Sequence, residues 1–191
     1  MKYEFRVVNL ANGWQEDCTL DDLSLIVGPN CEILRIKEDS LEAIGFVSAQ
    51  TALFFDIECA VYALENYTNK ILPEVQTCID LARKKMKDQS SVSDEEIRIA
   101  TNLAYAATAI VQDATAAAYA ATNLAYPATA IVQDTTAAAY AAIDAAFAAI
   151  DIGCLGSSAT KADFAAVAAG KNKLDERNRQ GTFILNFFGA E

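Results

Sequence analysis

The 191-residue chain contains no histidine, the side chain that enzymes most often use to move protons near neutral pH. Ser-His-Asp and Cys-His catalysis are therefore excluded. The five cysteines form no C-x-x-C pair, and their spacing does not suit a zinc site. They are Cys18, Cys31, Cys59, Cys78 and Cys154. We expect free thiols in a reducing cytoplasm, with neither a metal site nor a bound cofactor.

Acid–base catalysis without histidine needs paired carboxylates in a pocket. Asp56 and Glu58 are the acids that stand in an otherwise apolar stretch. We expect Asp56 to find a partner and Glu58 to face solvent. The three acids at 94–96 begin a helix, where negative charge stabilises the helix dipole. The sequence therefore predicts a protein that is not an enzyme.

Two basic clusters offer a different chemistry, the binding of an anion. One covers residues 83–87, and the other consists of Lys171, Lys173, Arg177 and Arg179. Helix C-termini and solvated faces account for most clusters of this kind. The alternative is a pocket, lined by Tyr and Lys or Arg, that sequesters an anionic small molecule of the nucleotide type. Lys171, Lys173, Arg177 and Arg179 are the candidate residues for that site.

The net charge of −11 limits the classes of partner. Nucleic-acid binding depends on a basic surface, so we expect no nucleic-acid partner. An acidic protein favours a basic protein partner. Residues 114–132 carry no charge, but they are mostly Ala and Thr, and we expect no membrane span. The N-terminus, MKYEFRVVNL, does not have the pattern of a signal peptide.

A tandem repeat occupies the middle of the chain. Residues 101–121 (TNLAYAATAIVQDATAAAYAA) and 122–142 (TNLAYPATAIVQDTTAAAYAA) differ at two positions, and threonine recurs every seven residues. A seven-residue period of small residues with Tyr predicts a helix packing seam. The polar positions within the repeat have three alternative interpretations. They form a solvated stripe, they cap helices at Asp113 and Asp134, or they belong to a surface that binds a partner. The candidate partner-binding residues are Gln112, Asp113, Tyr119, Gln133, Asp134 and Tyr140. Regular Thr could also suit ice binding, although the spacing favours a seam.

Residues 1–38 are predicted to form a small antiparallel sheet. Apolar and charged residues alternate from Lys2 to Val7, which is the period of a strand. Asn12-Gly13 is a hairpin-turn dipeptide. Residues 23–27 and 32–37 flank Gly28-Pro29-Asn30 and predict a second hairpin.

Residues 39–191 are predicted to form an antiparallel helical bundle packed by Ala and Tyr. Its helices begin at Asp39 with Glu42 as a capping box, at Pro73, at Ser93 with Glu96, and at Thr160 with Asp163. The last helix covers residues 161–180, and the aromatic tail at 182–188 is expected to dock on the body.

An unbroken helix over 94–150 would span about 85 Å, which is too long for a compact bundle. Pro127 takes the place of Ala106 in the second repeat and removes a helix-interior donor. The sequence therefore predicts a break at 122–127. Exposed Ala/Tyr faces of the repeat could pair across a two-fold axis in a homo-oligomer.

The helical part resembles a family of Ala-rich helical immunity proteins found in bacteria and phages. The resemblance lies in residues 63–100 (ALENYTNKILPEVQTCIDLARKKMKDQSSVSDEEIRIA), in the Ala/Tyr tract at 101–152, and in DERNRQ at 175–180. It implies a small cytoplasmic protein that neutralises a toxin or another system by binding it. The predicted function is therefore that of a non-enzymatic inhibitor of immunity or phage counter-defence type.

Overall fold

The computed structural model describes residues 2–68, 71–122, 137–146, 149 and 157–190, and for 112–122 and 157 it describes the backbone alone. In chain order these residues form β1 (Phe5–Asn9), β2 (Gln15–Cys18), α1 (Leu20–Ile26), β3 (Cys31–Ile36), β4 (Leu41–Val47), α2 (Ala49–Tyr67), α3 (Pro73–Lys87), α4 (Asp94–Thr122), α5 (137–146), α6 (Ser157–Ala168) and α7 (Lys173–Phe187). The protein is mainly α-helical with a small N-terminal antiparallel sheet, which confirms the predicted fold class.

The four strands lie in the order β2-β1-β3-β4, and every neighbouring pair is antiparallel. The predicted turn at Asn12-Gly13 joins β1 to β2, with Gly13 at a φ of +75° that favours glycine. Phe5, Val7 and Ile33 point into the core. The alternation seen in the sequence therefore sets which face of the sheet is buried.

Residues 23–27 were expected as a strand, and this prediction is wrong because residues 23–26 belong to helix α1 and Val27 is its C-terminal cap. Leu20, Leu23 and Val27 are spaced by three and four residues, which places them on one helical face. Leu23 is fully buried, and two aspartates occupy the first turn, where they stabilise the dipole. The Gly28-Pro29-Asn30 segment therefore joins a helix to β3 instead of closing a hairpin.

A helix was also expected from Asp39, but residues 41–47 form the edge strand β4. The proposed capping residue Glu42 instead binds the side chain of Lys37 at 2.8 Å. Helix α2 begins ten residues later, where the Ser48 hydroxyl accepts a hydrogen bond from the Thr51 N–H at 3.1 Å. The predicted division at 38/39 thus falls in the turn between β3 and β4.

Helices α3 and α4 begin where the sequence predicts. Pro73 is the first residue of α3, and Lys84, Lys85 and Lys87 lie in the last turn of that helix. Ser93 and Glu96 form a reciprocal capping box: the Ser93 N–H donates to the Glu96 carboxylate at 2.8 Å, and the Glu96 N–H donates to the Ser93 hydroxyl at 3.2 Å. These local signals fix the start of α4.

The helical core is built largely from alanine, contributed by α2 to α6. Thr101 and Thr108 are buried in it, and their hydroxyls donate to the carbonyls of Arg98 and Ala104 in their own helix. At these two positions the threonine heptad therefore faces the core, as a packing seam requires.

The ring of Tyr105 on α4 lies 5.7 Å from that of Tyr140 on α5. In one straight helix these residues would be about 52 Å apart, so the two helices do not continue each other. The predicted break at 122–127 lies outside the described residues beyond Thr122.

One helix was predicted over 161–180, but two are present. Gly170 takes a φ of +70° and ends the first, and the Asn172 side chain caps the second by accepting from the Leu174 N–H at 2.9 Å. Helix α6 begins at Ser157, so Thr160 and Asp163 lie inside it and do not cap it.

The C-terminal tail docks on the body, as predicted. Phe183, Phe187 and Phe188 form a ring cluster with Phe54 and Phe55 of α2, with centroid separations of 5.0–6.3 Å. Ile184 joins the core beneath the sheet. The last helix therefore completes the hydrophobic core that the first strands begin.

Candidate functional site

The outer face of the sheet is a candidate binding surface. Phe5, Val7 and Ile33 point inward, so the residues that alternate with them point outward. The strand register places Leu34 opposite Ala43 and Ile36 opposite Leu41, with Phe46 opposite Glu32. We define the outer sheet face as Val8, Glu32, Leu34, Ile36, Leu41, Ala43 and Phe46. Six of these seven residues are apolar, whereas Arg6, Gln15 and Asp17 make the same side polar on β1 and β2. The apolar part of this side is therefore concentrated on β3 and β4.

Two large side chains of the outer sheet face are substantially exposed. Leu41 leaves 45% and Phe46 leaves 47% of its surface accessible. Both lie on β4, and Leu34 and Ile36 on the neighbouring strand are half-buried beside them. Exposed apolar side chains on one side of a sheet are candidates for contact with another molecule.

Within the part of the chain that the structure describes, strand β4 has one unpaired edge. It lies at the end of the sheet order, and its pairing is with β3. The Lys37 N–H donates to the Ser40 carbonyl at 2.9 Å, which fixes the closing pair of the hairpin. Because hydrogen-bonded and non-bonded pairs alternate, the backbone groups of Leu41 and Ala43 point away from β3. This edge can accept an added strand.

The outer sheet face belongs to an acidic part of the chain. Residues 2–48 contain nine Asp or Glu and four Lys or Arg. Among those bases, Arg6 is paired with Asp17 at 2.6 Å and Lys37 with Glu42. The bond from Lys37 lowers the pKa of Glu42, while Glu38 and Asp39 are exposed at the hairpin tip. The local field therefore attracts cationic groups.

A second feature is a buried polar network centred on Glu176, whose side chain is fully buried. One carboxylate oxygen accepts from the Tyr67 hydroxyl at 2.5 Å and from Arg179 Nε at 2.9 Å. The other accepts from Arg179 Nη2 at 2.6 Å and from the Gln180 amide at 2.9 Å. Of these four hydrogen bonds, the one from Tyr67 ties α7 to α2, and the three from Arg179 and Gln180 lie within α7.

The network holds its members in defined charge states. Burial, with the bond to Glu176, raises the pKa of Tyr67, so its phenol stays protonated and donates. Burial opposes the charge of Arg179, but its bonds to Glu176 prevail and raise its pKa. The Arg179 guanidinium also lies 3.6 Å from the centre of the Tyr62 ring. The Arg179 guanidinium is therefore held by the Glu176 carboxylate and by the ring of Tyr62.

Asp163 of α6 is another buried carboxylate, and it is bound by two cations from α7. Arg177 Nε donates to it at 2.7 Å, and Lys173 Nζ lies 4.0 Å away. Burial raises the pKa of Asp163 despite these partners. Arg177 also approaches Asp22 of α1 at 3.8 Å. These contacts join α7 to α6 and α1.

A cleft of about 370 Å³ lies between the end of α2 and the start of α7. Its lining consists of Tyr62, Asn66, Tyr67, Lys171, Asn172, Asp175, Glu176 and Arg179. The two cations in this lining are matched by two carboxylates. The cleft as a whole is therefore polar and close to neutral.

The structure brings two of the four predicted anion-binding residues, Lys171 and Arg179, to this cleft. Lys173 and Arg177 are not in its lining, since they bind Asp163. Arg179 is committed to Glu176, which leaves Lys171 as the exposed cation of the cleft. The sequence did not reveal the carboxylates that neutralise the cluster.

The predicted partner-binding residues are described only in part. Gln112, Asp113 and Tyr119 lie on α4 within the stretch whose backbone alone is described, while Gln133 and Asp134 lie outside the described residues. Tyr140 is half-buried on α5 and packs against Tyr105. Its ring therefore contributes to helix packing.

Asp56 and Glu58, the side chains considered for catalysis, do not line the same cavity. Asp56 is 3% exposed and lines a cavity of about 20 Å³ with Ser24 and Cys59. Glu58 lies near the surface, 3.5 Å from Arg83. In the described part of the chain, no group of three or more Cys, Asp or Glu side chains is arranged to hold a metal ion. No helix there is both long and apolar enough to cross a bilayer.

The cysteines within the described residues are buried and unpaired. They are Cys18, Cys31, Cys59 and Cys78. Burial raises the pKa of Cys18, Cys59 and Cys78 to about 12, so these thiols stay protonated at neutral pH. A thiol in this state is a poor nucleophile.

Comparisons with models of protein families, with curated proteins and with solved structures each found no match to this chain. The resemblance to immunity proteins therefore stays a prediction.

Sequence reasoning missed both the outer sheet face and the Glu176 network. The i, i+3 and i+4 spacing of Glu176, Arg179 and Gln180 is a local signal for a bonded group on one helix. The outer sheet face had no usable signal, because β4 was predicted as helix. Its apolar residues were assigned to a buried helical face.

Proposed function

We propose that this protein is a non-enzymatic inhibitor that works by binding a basic protein partner on its outer sheet face. An immunity or phage counter-defence role in the cytoplasm is the form of inhibition that the resemblance favours. The single observation behind the proposal is the exposed apolar surface of β4, next to a free strand edge, in an acidic part of the chain. Apolar area supplies affinity, and the acidic field attracts a basic partner and speeds association.

The free edge suggests how the partner binds. An extended segment of the partner adds to β4 as a fifth strand, and its main chain bonds to Leu41 and Ala43. Alternate side chains of that segment then lie on Leu41 and Phe46. Exposed Glu38 and Asp39 stand at one end of the added strand, where a Lys or Arg of the partner can pair with them.

Substitution of Phe46 by glutamate tests this surface. We expect Phe46→Glu to weaken partner binding at least about 30-fold, because it replaces the most exposed large apolar side chain of the outer sheet face by a charge. The immobilised protein is incubated with a lysate of its own host, and captured proteins are identified by mass spectrometry. Affinity of the purified partner is then measured by calorimetry at two salt concentrations.

Leu174→Glu is the matched control, because Leu174 is 48% exposed but lies on α7. The expected result is one basic protein, captured by the wild type and by the control, lost with Phe46→Glu, and released by salt. Addition of this protein should also abolish the activity of the captured partner. Equal capture by Phe46→Glu, or an acidic captured protein, would contradict the proposal.

A second candidate function is the sequestration of an anionic nucleotide-type molecule, favoured by the cleft that Tyr62, Tyr67 and Lys171 line. The aromatic rings offer stacking for a base, and Lys171 offers a charge for phosphate. The ion pair of Arg179 with Glu176 works against this candidate, because an anion would have to approach a buried carboxylate.

If nucleotides bind in the cleft, saturating ligand will raise the melting temperature, by several degrees at about 100 times the dissociation constant. The rise should disappear in Lys171→Glu and persist in Lys2→Glu, an exposed lysine outside the cleft. Differential scanning calorimetry over a nucleotide panel provides the measurement. No shift with any nucleotide would remove this candidate and leave the protein-binding proposal unaffected.

A further inference from the structure

The small cavity beside Asp56 lies where four helices meet. Buried residues line it from α1 (Ser24), α2 (Phe55, Asp56 and Cys59), α6 (Ala159) and α7 (Ile184). Phe55 and Ile184 belong to the core beneath the sheet, while Cys59 and Ala159 belong to the helical core. The cavity therefore lies at the boundary between the two hydrophobic cores.

Ser24 brings a hydroxyl to this boundary. The residue is 5% exposed, and its Oγ is buried without a hydrogen-bond partner in the part of the chain that the structure describes. A serine inside a helix usually faces solvent or bonds to the carbonyl four residues earlier, and Ser24 does neither. A buried hydroxyl is costly unless it is hydrogen-bonded, so its partner has to come from the cavity that Ser24 lines.

Asp56 brings a second polar group to the same cavity, from a different helix. It is 3% exposed. An ionised carboxylate offers about four acceptor positions, so Asp56 can accept a hydrogen bond from the cavity beside any other that it makes. The Ser24 hydroxyl can both donate and accept. One small molecule that donates hydrogen bonds would therefore satisfy both side chains.

The size of the cavity decides which molecule fits. A buried water needs at least about 10–15 Å³ and two to four polar partners. The cavity offers about 20 Å³, which is room for one water and for no larger molecule. A divalent cation would need six or more oxygen ligands, whereas the described lining supplies side-chain oxygens from Ser24 and Asp56 alone.

We propose that this cavity is a binding site for one structural water molecule, which donates a hydrogen bond to the Asp56 carboxylate and bonds to the Ser24 hydroxyl. The water links α1 to α2 at the boundary between the two cores. The proposal does not depend on the proposed function.

Nuclear Overhauser spectroscopy between water and methyl protons locates the site in the full-length protein. The methyl groups of Ala52 and Ala159, which line the cavity, should show cross-peaks at the water resonance with the sign of a long-lived contact. Ala82 is the control, because it is fully buried and lies outside the lining, and it should show none. Absence of both expected cross-peaks would overturn the proposal.

Oxygen-17 relaxation dispersion separates a bound water from exchange of the Ser24 hydroxyl proton, because it follows the oxygen of water itself. Ser24→Val replaces the hydroxyl by methyl groups that occupy the cavity, and it should lower the number of long-lived waters by one. Ser40→Val, at an exposed serine, should leave that number unchanged. An equal number in the wild type and in Ser24→Val would contradict a water at this site.

Circular dichroism checks that each variant is folded. If Ser24→Val does not fold, Ser24→Ala removes the hydroxyl without adding volume. The lifetime of the bound water should then fall at least about tenfold, because the water loses one of its hydrogen bonds. An unchanged lifetime in Ser24→Ala would equally overturn the proposal.

Discussion

Replacement of Glu176 by alanine should lower the free energy of unfolding by about 3–5 kcal/mol, the usual loss when one partner of a buried ion pair is removed. Glu176 is fully buried and accepts four hydrogen bonds. Its removal leaves the Arg179 charge without its carboxylate and the Tyr67 hydroxyl without an acceptor. Chemical denaturation followed by circular dichroism measures the loss.

Two further variants separate the network from a general packing defect. Glu65→Ala removes an exposed acid of α2 and should change stability by no more than about 0.5 kcal/mol. The double variant Glu176→Ala with Arg179→Ala should cost less than the sum of the single changes, because it leaves no buried charge unpaired. An effect of Glu176→Ala below about 1 kcal/mol would contradict the network as described.

Gly181→Ala should destabilise the protein by about 1–3 kcal/mol, as expected for overpacking. Helix propensity alone predicts a gain of roughly 1 kcal/mol, because alanine replaces glycine inside α7. The space around position 181 decides whether the substitution raises or lowers the free energy of unfolding. A Cβ at position 181 would overlap the backbone carbonyl oxygen of Leu20 and lie 2.9 Å from its Cδ1. Because a main-chain carbonyl cannot rotate away as a side chain can, α7 would have to move away from α1.

Gly28→Ala is the matched control for Gly181→Ala. A Cβ at position 28 would meet no atom within 4 Å, and the φ of Gly28 is not in the left-handed region. This change should therefore be neutral or raise stability by up to about 1 kcal/mol, by restricting the unfolded chain. In thermal melts, the melting temperature of Gly181→Ala should fall, while that of Gly28→Ala should stay unchanged or rise. A stabilised Gly181→Ala would show that α1 and α7 are not in close contact.

Local signals in the sequence predicted much of the fold correctly. The turn at Asn12-Gly13, the start of α3 at Pro73 and the Ser93–Glu96 capping box depend on neighbouring residues, and all three are present. The start of α2 was wrong for a physical reason. Residues 41–47 are a strand because they pair with β3 in a hairpin, and the pattern of apolar residues within 39–64 alone does not show that pairing.

The candidate sites were less accessible to sequence reasoning than the fold was. Lys173 and Arg177 were identified as a basic cluster, yet Asp163 of another helix neutralises both. Whether a charge is free depends on long-range contacts, so composition and spacing do not determine it. The exposed apolar side of α4, which carries Ile99, Leu103 and Ile110, could have been found, since its spacing and the absence of charge are present in the sequence. It was overlooked because the Thr heptad on the other side of the same helix has the same period.

The docking of α7 on α1 and beneath the sheet has a consequence for synthesis on the ribosome. The sheet and α1 emerge first, but their core lacks Ile184 and the aromatic rings around Phe188 until those residues have left the exit tunnel. Each nascent chain therefore carries an unfinished apolar core through most of translation. A chaperone that holds early chains would protect this core, and stalling before residue 181 should leave a chain that does not fold.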